Sequence, residues 1–250
     1  MSAWLDPLRA ALDVAPEPVT VFFRDDDAGW RDDRLRTLLD VFAARGVPID
    51  LAAIPLDATS ALAAELRARS EASPVGVHQH GYAHVNHERQ GRRCEFGPSR
   101  DLDAQLADIR AGRDRLDELF GAALQPMFTP PWNRCTEDTG AALLELGVEA
   151  LSRDRTATPL GLPGLAELPV QLDWFAKRGG ERLGRAAVGE QLGARAAEGA
   201  PLGVMLHHAE MDEDDMAATA ELLDLVGAHG AARCMTMAAV LNDINTEVAA

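Results

Sequence analysis

Residues 74–87 read PVGVHQHGYAHVNH, a short apolar run that continues directly into a histidine cluster. Four of the seven histidines of the chain lie in this stretch. Two of them, His80 and His84, have the i,i+4 spacing that brings side chains to one face of a helical turn. Two imidazoles so placed can bind one divalent cation, and zinc, nickel and cobalt all accept imidazole nitrogen. The stretch therefore predicts a metal site, for which an anionic third ligand is still required.

The anionic ligand is predicted from a second stretch, residues 19–29, which reads VTVFFRDDDAG. Its β-branched and aromatic beginning, Val19–Phe23, predicts a buried strand. Three adjacent carboxylates at the end of such a strand repel one another unless a cation or solvent compensates. A turn, a helix N-cap or an exposed loop would also accommodate the aspartates, and a solvated helix face would accommodate the histidines. We favour the interpretation that the two stretches meet around a metal.

The composition is that of a soluble globular protein, with 47% hydrophobic and 26% charged residues. The net charge of −16 argues against nucleic acid or an anionic membrane as a partner, because both bind basic surfaces. The three cysteines, Cys94, Cys135 and Cys234, include no CxxC spacing. This pattern argues against a disulfide framework or a cysteine-based metal site, and it suits a reducing compartment.

The N-terminus, MSAWLDPLR, lacks the basic and then apolar segments of a signal peptide. No apolar run approaches the ~20 residues that a membrane-spanning helix needs. A cytoplasmic location is therefore expected. A length of 250 residues is typical of a single α/β barrel domain, and residues 1–16 are predicted to form a helical extension over one end of it.

Predicted strands and helices alternate along the whole chain, which is the pattern of a parallel sheet or barrel. In such folds the active site lies at the carboxyl ends of the strands. Five polar or aromatic clusters directly follow short apolar strands, a coincidence that core packing does not explain. They are Asp25–Asp27, His78–His84, Pro130–Trp132, Asp173–Trp174 and His207–His208. The sequence thus predicts that these clusters meet at one edge of the sheet.

The order of these clusters, from Val19 to Leu206, resembles that of the polysaccharide deacetylase family, the NodB-like carbohydrate esterases of family 4 (CE4). The resemblance implies an α/β fold, a single-domain deformed (β/α) barrel of about seven strands. It also implies one divalent metal ion, zinc or alternatively cobalt or nickel. The family's His-x-x-x-His motif is matched by His80 and His84, which implies that both are metal ligands.

The family's first motif is a strand-terminal pair of aspartates, of which the first is the general base and the second a metal ligand. Matching it to residues 26 and 27 makes Asp26 the base and Asp27 the ligand. Because the run has three aspartates, Asp25 as base and Asp26 as ligand is the alternative. We prefer the former, since it keeps a small residue, Ala28, after the pair.

The third motif, arginine-x-proline followed by an aromatic residue, is only partly matched. Residues 128–132 read FTPPW, so Thr129 stands where the resemblance implies an arginine that orients the catalytic aspartate. Arg24 or Arg134 could supply the guanidinium from elsewhere in the chain. Trp132 is interpreted either as a sugar contact or as packing over the mouth of the barrel. The implied substrate-binding residues are Pro131, Trp132, Asn133 and Trp174.

Two further motifs imply proton chemistry. Asp173 resembles the aspartate that tunes the catalytic histidine, and residues 205–208, MLHH, resemble the family's strand ending in Leu-x-His. The implied catalytic acid is therefore His207 or His208. Only one of them should face the pocket, because neighbouring strand residues point to opposite faces. We prefer His207.

The resemblance implies a metal-dependent hydrolase that removes the acetyl group from an N-acetylated amino sugar or glycoconjugate. In the absence of an export signal, the expected substrate is a small-molecule, lipid-linked or nucleotide-linked N-acetyl sugar. Two alternatives stay open: a non-catalytic carbohydrate-binding protein on the same fold, and a metal-dependent amidase that cleaves a cyclic amide or ureide.

Overall fold

The sheet is organised around β1 (Val19–Ala28), a ten-residue strand whose side chains are almost all buried. A computed structural model describes residues 2–70 and 73–249. In it, β1 pairs in parallel with β2 (Ile49–Ala53), β10 (Leu202–Leu206) and β11 (Ala232–Cys234). Burial on both faces is typical of strands in a parallel sheet that helices cover.

Nine strands in the described part of the chain form one sheet, in which neighbouring strands are parallel. The other members are β3 (Val75–His80), β4 (Leu124–Thr129), β5 (Ala150–Leu151), β6 (Ala166–Glu167) and β7 (Leu172–Asp173). The path through the sheet runs β6-β5-β4-β3-β2-β1-β10-β7, with β11 beside β1. The sheet curls into a half-barrel, which confirms the predicted fold class. The count exceeds the predicted seven because two-residue strands such as β6 give no periodic pattern. A short antiparallel hairpin lies outside the sheet, formed by β8 (Lys177–Arg178) and β9 (Glu181–Arg182).

Helices cover the sheet. They are α1 (Asp6–Asp13), α2 (Asp32–Ala43), α3 (Ser60–Ser70), α4 (Leu102–Phe120), α5 (Glu137–Glu145), α6 (Arg185–Ala196), α7 (Glu213–Ala228) and α8 (Met237–Ala249). Among the residues that the structure describes, no helix combines the length and the apolar character needed to cross a membrane.

The predicted N-terminal helical extension is α1, which packs against α6. The turn just before α1 also approaches α6, so closely that a Cβ at Gly189 would lie 1.7 Å from the backbone oxygen of Trp4. Leu8 and Leu12 of α1 are fully buried. Glycine at this position of α6 therefore lets the N-terminal segment join the main apolar core.

The two faces of the sheet contribute to different apolar clusters. Val21 and Phe23 of β1 belong to the larger cluster, beneath α1, α2, α6 and α7. Phe22 packs instead with Met205 of β10 in a smaller cluster that α8 closes. We call the face that carries Phe22 and Met205 the inner face. Successive residues of each strand alternate between the inner and the outer face, and this alternation positions the site.

Two strands extend further than predicted. β1 includes Asp25–Asp27, and β3 includes His78 and His80, so these clusters lie within the strands rather than after them. The polar side chains have partners inside the protein, which lets strand pairing continue through them. The helical turn expected for the histidine pair was also wrong: His80 ends β3, and His84 follows in a turn with φ of 56°.

Candidate active site

The alternation along β1 decides which aspartate faces which side. Arg24 and Asp26 share the inner face, whereas Asp25 points to the outer face. The pairing of β1 with β2 shifts register after Asp25, and Asp27 has φ of 70°. These features mark a bulge that re-aims Asp27, since a bulge turns a strand residue away from strict alternation. As a result Asp26 and Asp27, although adjacent, reach the same site.

Asp27, His80 and His84 converge on one point. Oδ1 of Asp27 lies 3.2 Å from Nε2 of His80 and 3.2 Å from Nε2 of His84. This oxygen is buried and has no hydrogen-bond partner among the described residues. One ligand atom from each of the three side chains lies within 4.8 Å of the others. A carboxylate oxygen without a donor that faces two imidazole nitrogens fits a divalent cation such as zinc, cobalt or nickel.

The orientation of His80 is fixed by the next strand. Its Nδ1 lies 3.0 Å from the backbone oxygen of Thr129. Because a carbonyl oxygen only accepts, Nδ1 must donate, and this leaves the Nε2 lone pair directed at Asp27. Such a second hydrogen bond is the usual way in which a protein orients a histidine ligand. Thr129, at the position of the implied arginine, therefore supports the metal site through its backbone.

The protonation states of the ligands differ. Burial raises the pKa of Asp27, but the attraction of the nearby imidazoles, chiefly that of His80, outweighs this, so the pKa lies well below its usual range. Burial, together with the charge of His80, lowers the pKa of His84 to about 4. Burial also lowers the pKa of His80, yet Asp27 and Asp26 more than offset it and the net shift is upward. An ionised Asp27 and neutral imidazoles at positions 80 and 84 are the forms that bind a cation.

A buried glutamate holds the turn between the two histidines. Glu95 accepts hydrogen bonds from the backbone N–H groups of Tyr82 (3.2 Å) and Ala83 (2.8 Å), and its side chain is fully buried. Burial raises the pKa of the Glu95 carboxyl. A Cβ at Gly81, where φ is 56°, would lie 2.2 Å from Oε2 of Glu95. No motif in the sequence identified Glu95 as part of the site.

Two tryptophans flank His84. Its ring centroid lies 4.7 Å from that of Trp30 and 4.6 Å from that of Trp132. Trp132 and Asn133 have φ of 56° and 57°, in the left-handed region that few non-glycine residues adopt. Such backbone strain is retained where the surrounding structure holds it, often at functional sites. Trp132 is thus both packed on a predicted ligand and placed at the mouth of the site.

The guanidinium that the third motif lacks is supplied by Arg24. Its Nε donates to Oδ1 of Asp26 at 2.8 Å, and its Nη2 donates to Oδ2 at 2.9 Å. Nη2 also donates to Oδ1 of Asn133 at 2.7 Å, and Nη1 donates to Oγ of Ser152 at 2.8 Å. Burial raises the pKa of Asp26, but the charges of Arg24 and nearby imidazoles outweigh this and lower it. Asp26 is therefore held ionised in a fixed orientation.

The two candidate acids lie on opposite sides of the sheet. Nε2 of His207 lies 4.0 Å from Oδ2 of Asp26, and its side chain is 24% exposed. His208 is buried on the outer side, where its Nδ1 lies 2.6 Å from Oδ2 of Asp25 and its Nε2 lies 2.6 Å from the backbone oxygen of Trp30. Burial lowers the pKa of His208, but Asp25 more than offsets this and raises it to about 9. The geometry places His207 in the pocket and His208 in a structural ion pair.

The remaining predicted residues divide between site and core. Asp173 and His207 line one cavity, although Nδ1 of His207 is buried with no hydrogen-bond partner in the described residues. Burial raises the pKa of Asp173, against the opposing charge of His207. Trp174, expected at the substrate, is 1% exposed and its Nε1 donates to Asp215, because the alternation of β7 turns it into the core. Pro131 is also buried, packed at Gly81.

A cavity of about 1170 Å³ opens beside His207. Trp132, Asn133 and Met205 line it near Asp26, and residues 88–98 and 153–160 contribute to its outer part. A space of this size holds a sugar together with an attached group.

No protein-family model and no curated protein matches the chain by sequence. Solved structures do match. A putative polysaccharide deacetylase from Mycobacterium smegmatis matches with a TM-score of 0.70 at 18% identity, over 94% of this chain and 92% of that one. A family 4 acetyl xylan esterase from Clostridium thermocellum, solved with a cobalt ion, gives 0.58 at 13% identity, over 89% and 90%. A CE4 family pseudoenzyme from Bacillus anthracis gives 0.56 at 11% identity, over 91% and 66%. These matches confirm the predicted fold.

Proposed function

We propose that this chain, which has the fold of the NodB-like carbohydrate esterases, is a metal-dependent hydrolase that removes the acetyl group from an N-acetylated amino sugar. The observation that carries the proposal is the position of Asp26, held by Arg24, directly beside the group formed by Asp27, His80 and His84. A base, a cation site and an acid within one pocket are the parts that amide hydrolysis needs.

Asp27, His80 and His84 are proposed to hold the cation, which would supply Lewis-acid polarisation of the acyl carbonyl and acidify water. Asp26 takes the proton of the attacking water. It is suited to this role because Arg24 occupies one side of both carboxylate oxygens and fixes the plane of the group. A base in a fixed orientation lowers the entropic cost of reaching the reactive geometry.

His207 donates a proton to the departing amine. Its Nε2 lies 4.0 Å from Oδ2 of Asp26, so the acid and the base act within the same small volume. Asp173, which lines the cavity with it, is the carboxylate available to favour the protonated imidazole. The backbone N–H of Trp132 is the proposed donor to the developing oxyanion, because preorganised N–H groups stabilise such charge.

The proposal is tested by metal analysis and by hydrolysis of an N-acetyl amino sugar in the presence of zinc, cobalt or nickel. The purified protein is expected to bind one divalent ion and to release acetate, whereas His80→Ala should lose the ion. Asp26→Asn should keep the ion and lose turnover. Undiminished turnover in Asp26→Asn, or metal content unchanged in His80→Ala, would overturn the proposal.

The geometry of the same site bears on the two alternative functions, a non-catalytic carbohydrate-binding protein and a cyclic amidase. A non-catalytic carbohydrate-binding protein was considered because Thr129 replaces the expected arginine. The contact between Arg24 and Asp26 weighs against it, since the lost interaction is replaced from within β1. A cyclic amide or ureide substrate would use the same base and cation, and comparison of hydantoin with the N-acetyl sugar in the same assay separates the two activities.

A further inference from the structure

Two arginines extend the candidate site away from the cation ligands. Arg134 follows Asn133, which accepts a hydrogen bond from Arg24, so Arg134 lies one residue beyond the catalytic pocket. Arg92 belongs to the loop that crosses the same cavity, and both side chains line it. Nη1 of Arg134 donates to the backbone oxygen of Arg93 at 2.6 Å, which fixes the guanidinium to this loop.

Neither guanidinium is paired with a carboxylate in the part of the chain that the structure describes. Among residues 2–70 and 73–249, no carboxylate oxygen lies within 4.0 Å of a guanidinium nitrogen of Arg92 or Arg134, the distance at which an ion pair forms. Nε of Arg134 is buried and has no hydrogen-bond partner in that part of the chain. Burial and the positive charge of Arg92 both lower the pKa of Arg134. Two positive charges that line one cavity and form no ion pair with a carboxylate of the described residues favour an anionic ligand.

Carboxylates also line the cavity, but most are already engaged. They are Glu88, Glu137, Asp154 and Asp173. Three of them accept hydrogen bonds from donors in their own loops: Ser99 for Glu88, Thr156 for Asp154 and Phe175 for Asp173. Glu137 lies in the first turn of α5, where the helix dipole stabilises a negative charge. The acids are thus held locally, whereas the two arginines are not held by acids.

We propose that the substrate carries a phosphate group beside its acylated sugar, and that Arg134 together with Arg92 binds this phosphate. The inference rests on the proposed function, because it assigns the substrate class of the same site. The planar guanidinium fork matches the geometry of phosphate oxygens. A local cationic pair is also needed to recruit an anion to a chain whose net charge is −16.

The test compares substrates that share the acylated sugar and differ in the phosphate. N-acetylglucosamine is the neutral substrate, and N-acetylglucosamine 1-phosphate is its anionic match. Arg134→Gln is expected to lower kcat/KM for the phosphorylated substrate about tenfold or more while that for the neutral sugar changes less than about twofold. Arg92→Gln should act in the same direction, and Arg134→Lys should recover part of the loss because it keeps the charge.

Arg89→Gln is the matched control. Arg89 lies in the same loop and carries the same charge but does not line this cavity, so both substrates should be hydrolysed as by the unaltered protein. Equal losses for both substrates in Arg134→Gln, no loss for either, or the same result in Arg89→Gln would each overturn the inference. Comparison of a nucleotide-linked with a polyprenyl-linked N-acetylglucosamine then distinguishes the two sources of the phosphate.

A binding measurement separates failure of the inference from failure of the proposed function. Calorimetry with glucosamine 1-phosphate and with glucosamine needs no turnover. Preferential binding of the phosphorylated sugar that is lost in Arg134→Gln and kept in Arg89→Gln supports the inference even where neither N-acetyl substrate is hydrolysed. Equal binding of the two sugars contradicts it.

Discussion

Arg24 lies two residues before Asp26 on the same face of β1 and donates to both of its carboxylate oxygens, at 2.8 and 2.9 Å. Both side chains are buried, and both belong to β1, so one strand supplies the aspartate and the arginine that orients it. The family resemblance implied this contact from an arginine at position 129, where the chain has Thr129. The following predictions use this arrangement and the groups around it.

Turnover should depend more on the bidentate contact between Arg24 and Asp26 than on the positive charge of Arg24. Arg24→Lys keeps a cation beside Asp26 but loses the planar fork, and removal of two-point contact misplaces the base. We expect turnover of the N-acetyl sugar to fall about 10²-fold with metal content little changed, and the melting temperature to fall because the buried hydrogen bonds to Ser152 and Asn133 are also lost. Steady-state kinetics and metal analysis on the same preparation check this. Arg36→Lys, in an exposed ion pair with Glu65, is the control and should behave like the unaltered protein; full activity in Arg24→Lys would contradict the assigned role.

Substitution of the adjacent histidines His207 and His208 should affect different properties, turnover in the first case and stability in the second. His207→Asn removes the proposed acid and should lower turnover about 10²-fold or more with the fold intact. His208→Asn leaves Asp25 buried without its cationic partner and should cost about 3–5 kcal/mol of the free energy of unfolding. Chemical denaturation and kinetics of both variants decide the matter. A stable, inactive His208→Asn beside a fully active His207→Asn would exchange the two roles.

The conformation of the turn that carries the proposed metal ligands should depend on Glu95. Gly81→Ala places a methyl group against Oε2 of Glu95, and Glu95→Ala frees the N–H groups of Tyr82 and Ala83. Each should weaken cobalt binding about 10- to 100-fold, the usual effect of removing support from a ligand. Titration followed by the cobalt absorption spectrum measures this.

The control for Gly81→Ala is Gly91→Ala. Gly91 also has positive φ, of 80°, but a Cβ there meets nothing within 4 Å. The Gly91→Ala variant therefore has backbone strain like that of Gly81→Ala but no clash with a side chain such as Glu95. Its cobalt affinity should be unchanged. Equal weakening in both variants would assign the effect to backbone strain rather than to Glu95.

Asp50 should make stability depend on pH. Burial raises the pKa of Asp50 to about 7, against opposing hydrogen bonds from Met237 and Gln125. Because the folded-state pKa exceeds the unfolded value of 3.8, the protonated form stabilises the fold below pH 4, and this contribution is lost as pH rises to about 7. Asp50→Asn should therefore gain stability relative to the unaltered protein between pH 4 and 7, by about 4 kcal/mol at most. Thermal unfolding across this range tests it, with exposed Asp117→Asn as the control; a constant difference in stability at all pH values would count against the prediction.

The sheet class was predictable because alternating apolar strands and helices admit few arrangements. The length of β1 was not, because carboxylates have low strand propensity, and because His208, the partner of Asp25, and Ser152, the partner of Arg24, are far away in sequence. Arg24 was named only as one of two sources of the guanidinium. Knowledge that it shares a face with Asp26 would have favoured it over Arg134, since residues two apart on a strand point the same way.

Glu95 and Trp174 show where sequence reasoning stopped. Glu95 lies in a polar loop, and nothing in its neighbours distinguishes a buried carboxylate from a solvated one. Trp174 directly follows the predicted Asp173, but one step along a strand reverses the direction of a side chain, and its partner is Asp215 on α7.

The bulge at the end of β1 has a consequence for insertions and deletions. Three identical residues in succession have three different neighbours: an imidazole behind the sheet, a guanidinium within the strand, and the two imidazoles across the pocket. Loss or gain of one aspartate would leave the composition and hydropathy of the segment almost unchanged. It would nevertheless shift the remaining carboxylates to their neighbours' positions. The number of aspartates in the run is therefore more tightly constrained than its composition alone would indicate.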